Sequence, residues 1–300
     1  MPTDTATPTP SATATPRPIL NPLAQPRIAP PAPDNAILDS PLLYAQSITQ
    51  SITSTVPVSW SPPMMPAQLS IYPISVTDPS PADVYAIAQR LGVSGLLTAP
   101  SIQNNRSIVA TLQLGTMPYT LTVYSGYGTD WFSLQAAYPA VGRLSLARAG
   151  HAADTWLRSH GLLSQNLIQT GEIDGRVQYG ETIGGAPLRD PVAVSISLDG
   201  GGVLQYLRYE VVATSGPPVL LAAQSPAIAT SNWMTQGAGF YHGPDPAIFS
   251  GPAEIDGLSL AYVGLRDRGQ LYLVPIYVLT WSAPSASGQQ TFTVYTPAVQ

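Results

Sequence analysis

The sequence predicts an α+β fold: antiparallel sheets with short helices packed on one face, arranged as two or three repeated helix-plus-strands units. Three observations carry this expectation. The C-terminal stretch GLSLAYVGLRDRGQLYLVPIYVLTW, followed by QQTFTVYTPAV, has the densest period-two alternation in the chain. Leu258, Leu260 and Tyr262 share one run, Tyr272, Val274, Ile276 and Val278 the next, and Phe292 and Val294 the last, which is the pattern of half-buried strands. Three segments open as helices, at Ser80-Pro81, near Ser145 and at Ser225-Pro226. Each opening precedes strand-like sequence, with the starts separated by 65 and 80 positions.

Composition narrows the chemistry. The 300 residues carry a net charge of −5, 44% hydrophobic residues and no cysteine. All twelve basic residues are Arg. Without Cys there are no disulfides, no thiolate nucleophile and no Cys-ligated zinc or iron–sulfur site. Without Lys there is no Schiff base and no P-loop lysine. No basic stripe marks a nucleic-acid partner, and no run of 18 apolar residues is long enough to span a membrane.

In chain order, residues 1–40 read as a disordered Thr/Pro-rich spacer. Residues 41–67 read as an extended wrapping segment; the first 66 residues hold 15 of the 32 prolines. Within that segment Tyr44, Ile48 and Ile52 fall on one face of a short helix, and VPVSWSPPMMP is too proline-rich for a central strand. Trp60, Met64 and Met65 are expected to plug a groove. A Thr/Pro spacer of this kind usually follows a signal peptide or a lipidated residue. The expected location is therefore extracytoplasmic or cell-surface, with an N-terminal anchor absent from this sequence. A cytoplasmic soluble chain is the alternative.

The folded part divides into units at 68–142, 143–222 and 223–300. In the first, LSIYPI is a short strand. Ser80 caps the following helix, Pro81 suits its first position and Asp83 completes a box-like arrangement. Val84, Ile87, Ala88 and Leu91 share a face, and Gly92 is the stop. SIVATLQLG and YTLTVYSG follow as strands. In the second, Leu146, Ala149, Ala153, Trp156 and Leu157 form the helix stripe, Gly161 stops it, and Gly150 implies a close neighbour. Val192, Val194, Ile196 and Leu198 then alternate before a turn at Asp199 and Gly200–Gly202. In the third, Ile228, Ala229 and Trp233 are the expected buried helix face, and the terminal strands complete the unit. Pro275 cannot donate to a ladder, so it is expected on an edge or at a bulge.

Candidate chemistry is sparse. His151 and Asp154 are three apart on one helix, with no evident nucleophile. His160 suits the terminal carbonyls of its helix. His242 lies in GFYHGPDP beside Tyr241 and Asp245 and is the most ligand-like histidine. Glu172, Asp174 and Glu181 read as surface carboxylates, or as a glycosidase pair, or with Asp199 as a calcium site. Gly200–Gly202 read as a hairpin turn rather than a phosphate cradle. Asn105-Arg106-Ser107 is a sequon of little weight. Tyr119, Tyr124, Tyr127, Trp131, Phe132 and Tyr138 concentrate aromatics in one region, read either as sheet core or as an exposed loop that binds sugar or peptide.

DVYAIAQRLGVSG, AADTWLRSHGLL with GRVQYGETIGGAPLRDPVAVSISLDGGGVLQY, and LAYVGLRDRGQLYLVPIYVLTW with FTVYTPAV together resemble bacterial envelope lipoproteins and sensor-associated extracellular domains. Their order over about residues 68–298 is similar to YycH/YycI-like regulators and PepSY-like α+β units. That resemblance implies a non-catalytic domain acting in envelope signalling, inhibition or maintenance. It brings no catalytic motif.

The expected function is a non-enzymatic extracytoplasmic domain that binds a protein or peptide partner, without cofactor or metal. The alternatives are a carbohydrate- or cell-wall-binding module and a hydrolase using His242 or the acidic cluster. Tyr124, Tyr127, Trp131, Phe132, Tyr241 and His242 are the candidate ligand-binding residues.

Overall fold

The computed structural model describes residues 54–55 and 60–299, except 105, 128–130, 139–141, 143, 189–191, 237–239 and 268–269. The spacer at 1–40 and the short helix expected around Tyr44–Ile52 lie outside the described residues. The chain runs β1 (Ser54–Thr55), β2 (Gln68–Ile74), α1 (Pro81–Arg90), β3 (Ser101–Asn104), β4 (Ser107–Leu114), β5 (Met117–Tyr124) and β6 (Phe132–Ala136). It continues with α2 (Leu146–Ser159), β7 (Leu167–Ile173), β8 (Arg176–Ile183), β9 (Ala186–Pro187), β10 (Val194–Leu198), β11 (Leu204–Tyr209) and β12 (Val219–Ala222). Last come α3 (Pro226–Gln236), β13 (Phe240–His242), β14 (Ala253–Asp267), β15 (Gln270–Ser285) and β16 (Gly288–Pro297). This is an α+β fold of short helices and large antiparallel sheets.

The helices start where the local chemistry places them. Asp83 Oδ2 accepts both the Ser80 N–H and the Ser80 hydroxyl at 2.7 Å, so the carboxylate does the capping at the positive end of the helix. At the end of α2, Nδ1 of His160 bonds the Trp156 carbonyl at 2.8 Å while its ring stacks on the indole. One face differs from expectation: α3 buries Ala229, Thr230 and Trp233 but leaves Ile228 49% exposed.

Nine strands form the first sheet, in the order β3-β4-β5-β6-β11-β10-β8-β7, with β9 paired to β8. Two meanders, β3–β6 and β7–β11, meet edge to edge where β6 pairs antiparallel with β11, from Phe132↔Tyr209 to Gln135↔Tyr206. Both α1 and α2 cover one face. Val84, Ile87, Leu91, Ala153 and Leu157 pack there with Tyr119, Phe132, Leu134, Ile196, Leu207 and Tyr209. Fully burying a large apolar side chain stabilises by roughly 1.5–3 kcal/mol. The other face is polar. One row runs Thr122–Ser133–Arg208–Ser195–Gln178 and the next Thr120–Gln135–Tyr206–Ser197, each step a cross-strand partner.

The second sheet has seven strands built on the β14–β15 hairpin. Residues 268–269 of the expected turn lie outside the described residues. The strand before α1, β2, belongs to this sheet: it pairs with β15 through Leu271–Leu273 and with β12. β16 pairs with β15 from Ile276 onward. Pro275 therefore sits neither on an edge strand nor at a bulge. It lies opposite Tyr262 of β14, at the step where the other flank of β15 passes from β2 to β16. A ladder position is interrupted there, which is where a residue without an N–H is tolerated. α3 covers β15 and β16. Trp60 and Met65 are half-buried against this sheet, whereas Met64 is fully exposed rather than filling a groove.

A third apolar cluster joins the sheets. Ile74, Tyr262, Leu271 and Leu273 from the second meet Ile183 from β8 of the first and Tyr127, Trp131, Leu188 and Val212 from the segments that flank its strands. The Trp131 indole N–H donates to the Val211 carbonyl at 3.1 Å, and the Ala213 N–H to the Tyr127 carbonyl at 2.6 Å. The Trp131 ring lies so close to Gly126 that a Cβ there would fall among its atoms. Gly126→Ala is therefore expected to destabilise the protein by about 2 kcal/mol or more through overpacking. Gly150 makes the contrast. A Cβ there would sit 2.8 Å from the end of the flexible Gln169 side chain, so Gly150→Ala should gain up to about 1 kcal/mol of helix propensity. Urea denaturation of the two variants checks both signs.

Candidate functional site

The polar face of the nine-stranded sheet ends in a groove of about 440 Å³. Four stretches wall it: the end of β6, the end of β10, the start of β11 and the β7–β8 turn. The turn is a two-residue Asp-Gly hairpin. Asp174 has φ 54° and Gly175 φ 75°, the backbone that short twisted hairpins require and that Asp and Gly tolerate. It places Asp174 and Arg176 on the rim. The guanidinium of Arg176 lies 4.1 Å over the Tyr206 ring, a cation–π contact that fixes its position. Tyr138 also lines the groove and is 62% exposed.

The floor is shaped by a β-bulge. Leu198 pairs with Leu204 and Ser197 with Tyr206, so Gln205 is the extra residue in β11. A bulge re-aims a side chain, and Gln205 lines the groove beside Tyr206. The Tyr119 hydroxyl, reaching across from β5, donates to the Leu204 carbonyl at 2.6 Å and holds the bulge. Burial pushes the Tyr119 phenol up to about 12, with Asp199 a lesser cause, so it is a donor at all physiological pH. Gln205 is only 8% exposed, and its amide nitrogen has no hydrogen-bond partner. An unsatisfied buried donor costs about 1–3 kcal/mol. Native structures retain few such groups without a reason.

The residues expected from sequence to bind ligand lie elsewhere. Tyr127 and Trp131 pack edge-to-face in the junction, with ring centroids 5.4 Å apart, and Phe132 stacks on Tyr209 in the helix-covered core. Tyr127 and Phe132 are fully buried and Trp131 is 6% exposed, so these three offer no open ring to a sugar. Tyr124 is half-buried on the polar face. Burial first, and then the Glu210 charge, push its phenol up to about 12, opposed by a hydrogen bond with Ser133 and by Arg208. Tyr241 is buried and its hydroxyl donates to the Pro244 carbonyl. His242 is exposed on β13, where its partner is Thr293. Asp245 instead accepts the Ala247 N–H at 2.9 Å.

The other candidates separate in the same way. Asp154 accepts the Tyr179 hydroxyl at 2.6 Å rather than orienting His151. Asp199 accepts the Gly201 and Val203 N–H groups at 2.9 Å, which makes the glycine run a hairpin turn. Glu172 and Asp174 are exposed at one end of the β7–β8 hairpin, whereas Glu181 is buried near the sheet junction. Among the described residues no group of three His, Asp or Glu side chains is placed to hold a metal, and no helix is long and apolar enough to cross a membrane. The groove escaped sequence reasoning because its parts come from four separate strand ends. The Asp-Gly pair ahead of Arg176 was the one local signal of it.

No protein-family model matches the chain, and no curated protein matches it in sequence. Among solved structures it is similar to the Bacillus megaterium YpeB C-terminal domain, at 9% identity and a TM-score of 0.39, over 75% of this chain and 99% of that domain. A likeness of that size does not place the chain in a family.

Glu181 is the most perturbed carboxyl with a settled geometry. It is 4% exposed and its Oε2 accepts the Val212 N–H at 2.9 Å. Burial pushes it up from 4.5 to about 7, and the Val212 bond offsets only part of that. The folded state thus prefers the neutral acid. Below pH 4.5 both states are protonated and nothing is lost. As pH rises from there through 7 the unfolded chain releases its proton first, so stability falls, by about 3 kcal/mol in order of magnitude. Glu181→Gln keeps an acceptor for Val212 and removes the charge. Its urea midpoint should exceed that of the parent at pH 8 and match it at pH 4; equal midpoints at both would show that Glu181 does not titrate differently on folding.

Proposed function

We propose that this chain is a non-enzymatic recognition domain that binds a protein or peptide partner outside the cytoplasm, in envelope signalling or maintenance. The observation that carries the reading is the groove, which gathers amide, hydroxyl, guanidinium and ring groups from four separate stretches of chain. The edges of the nine-stranded sheet add to the capacity for binding. β7 is exposed along almost its whole length, with Ile168 54% and Ile173 62% exposed, and an open edge accepts an added strand. The Thr/Pro-rich composition of residues 1–40 supports an extracytoplasmic setting.

The same reading takes the body as three PepSY-like units at 68–142, 143–222 and 223–300. Each consists of a helix followed by antiparallel strands, the first two sharing one sheet. What supports it is the order of elements: α1 precedes β3–β6, α2 precedes β7–β11, and α3 precedes β13–β16.

A phage-displayed peptide panel, a glycan array and a set of chromogenic esters, glycosides and peptides test the function on one preparation. Enrichment of peptides, without glycan retention or turnover, is the expected outcome. Catalytic turnover, or retention of glycans alone, would overturn it.

A further inference from the structure

We infer that the groove over the bulge at Gln205 binds an extended peptide segment through a carboxylate, held by Arg176. This deepens the peptide-recognition reading and rests on it. The groove spans β6, β11, β10 and β8 in the sheet order. Three strand spacings make about 14 Å, the length of about four extended residues. Its polar groups match those of a peptide. Gln135 and Gln205 are planar amides that pair with a backbone amide, and Ser197 adds a hydroxyl.

Two observations choose the carboxylate. The Arg176 guanidinium carbon lies 4.1 Å from the centroid of the Tyr206 ring, and both residues line the groove; a guanidinium held over a ring is suited to meet a carboxylate with two hydrogen bonds. The second is independent of it: Gln205 lines the groove at 8% exposure and its enclosed amide nitrogen lacks an acceptor, which a small turn of the side chain would bring to the carbonyl or carboxylate of an incoming segment. Asp174 on the same rim and the net charge of −5 oppose a polyanion such as nucleic acid. A sugar platform is disfavoured because Tyr206 already has a guanidinium over its ring, which leaves Tyr138 as the open one. The carboxylate comes either from an Asp or Glu side chain or from a chain terminus.

Three pools of acetylated tetrapeptides separate these sources: neutral with a free C-terminus, neutral and amidated, and amidated with one Glu. Calorimetric titration of the full chain is expected to show binding of the first or third pool at least about tenfold tighter than the second, the ratio expected of a hydrogen bond to a charged group. The pool that binds names the source. Arg176→Gln should erase that ratio. Gln205→Leu should weaken binding while leaving the melting temperature unchanged or higher, which a purely structural role would not produce. Equal binding of all pools, or unchanged affinity in both variants, overturns the carboxylate site. If peptides still bind those variants, and amide protection maps to β7, peptide recognition stands and the groove assignment falls. If a cell-wall oligosaccharide binds with the same dependence on Arg176 and Gln205 while no pool does, both fall.

Discussion

The antiparallel pairing of β6 with β11 is the constraint on which the rest of this molecule depends. Each meander alone would expose an edge, and a helix-covered sheet of four strands gives a modest core. Joined through Phe132 and Tyr209, whose rings stack at 5.4 Å, they share one apolar layer under α1 and α2. The same pairing sets the alternation on the far side. Once Phe132 and Leu134 point to the helices, Ser133 and Gln135 must point away, and so must their partners Arg208 and Tyr206. The recognition face is thus the complement of the core and is laid down by the same register.

One irregularity breaks that rule. An extra residue in β11 lets Leu204 enter the core and Tyr206 stay on the polar face, with Gln205 between them. In a regular ladder with Tyr206 on the polar face, Leu204 would share that face. The bulge therefore costs a ladder position and leaves an amide without a bond, and Tyr119 anchors it from two strands away. Local strain of this kind at a concave surface is common where a fold meets a ligand.

Much of the architecture was legible in the sequence because its signals are local. Ser80, Pro81 and Asp83 fix a helix start within four residues, and alternation from Leu258 to Val294 fixes the terminal strands. The fate of the aromatic run was not legible. Tyr127 and Trp131 lie in a loop-like sequence, and whether such rings face water or core depends on Ile74, Tyr262 and Leu273, which arrive from both ends of the chain. The groove was hidden for the same reason: Arg176 and Tyr206 are brought together only by the order β11-β10-β8. Pattern reading also placed β2 with the helix that follows it, whereas its hydrogen bonds go to β15.

That last pairing has a consequence for how the protein comes into being. The Gln270 side chain donates to the Ile74 carbonyl across 196 positions of chain. A ribosome releases β2 long before β15 exists, and β12 alone gives it only a two-stranded ribbon, which is marginal in water. The nine-stranded sheet, whose segments are contiguous from Ser101 to Tyr209, has all its pairing partners made before β15. β2 keeps its apolar side chains uncovered until β15 has been made, so its long-range pairing is the slow and aggregation-exposed step of assembly.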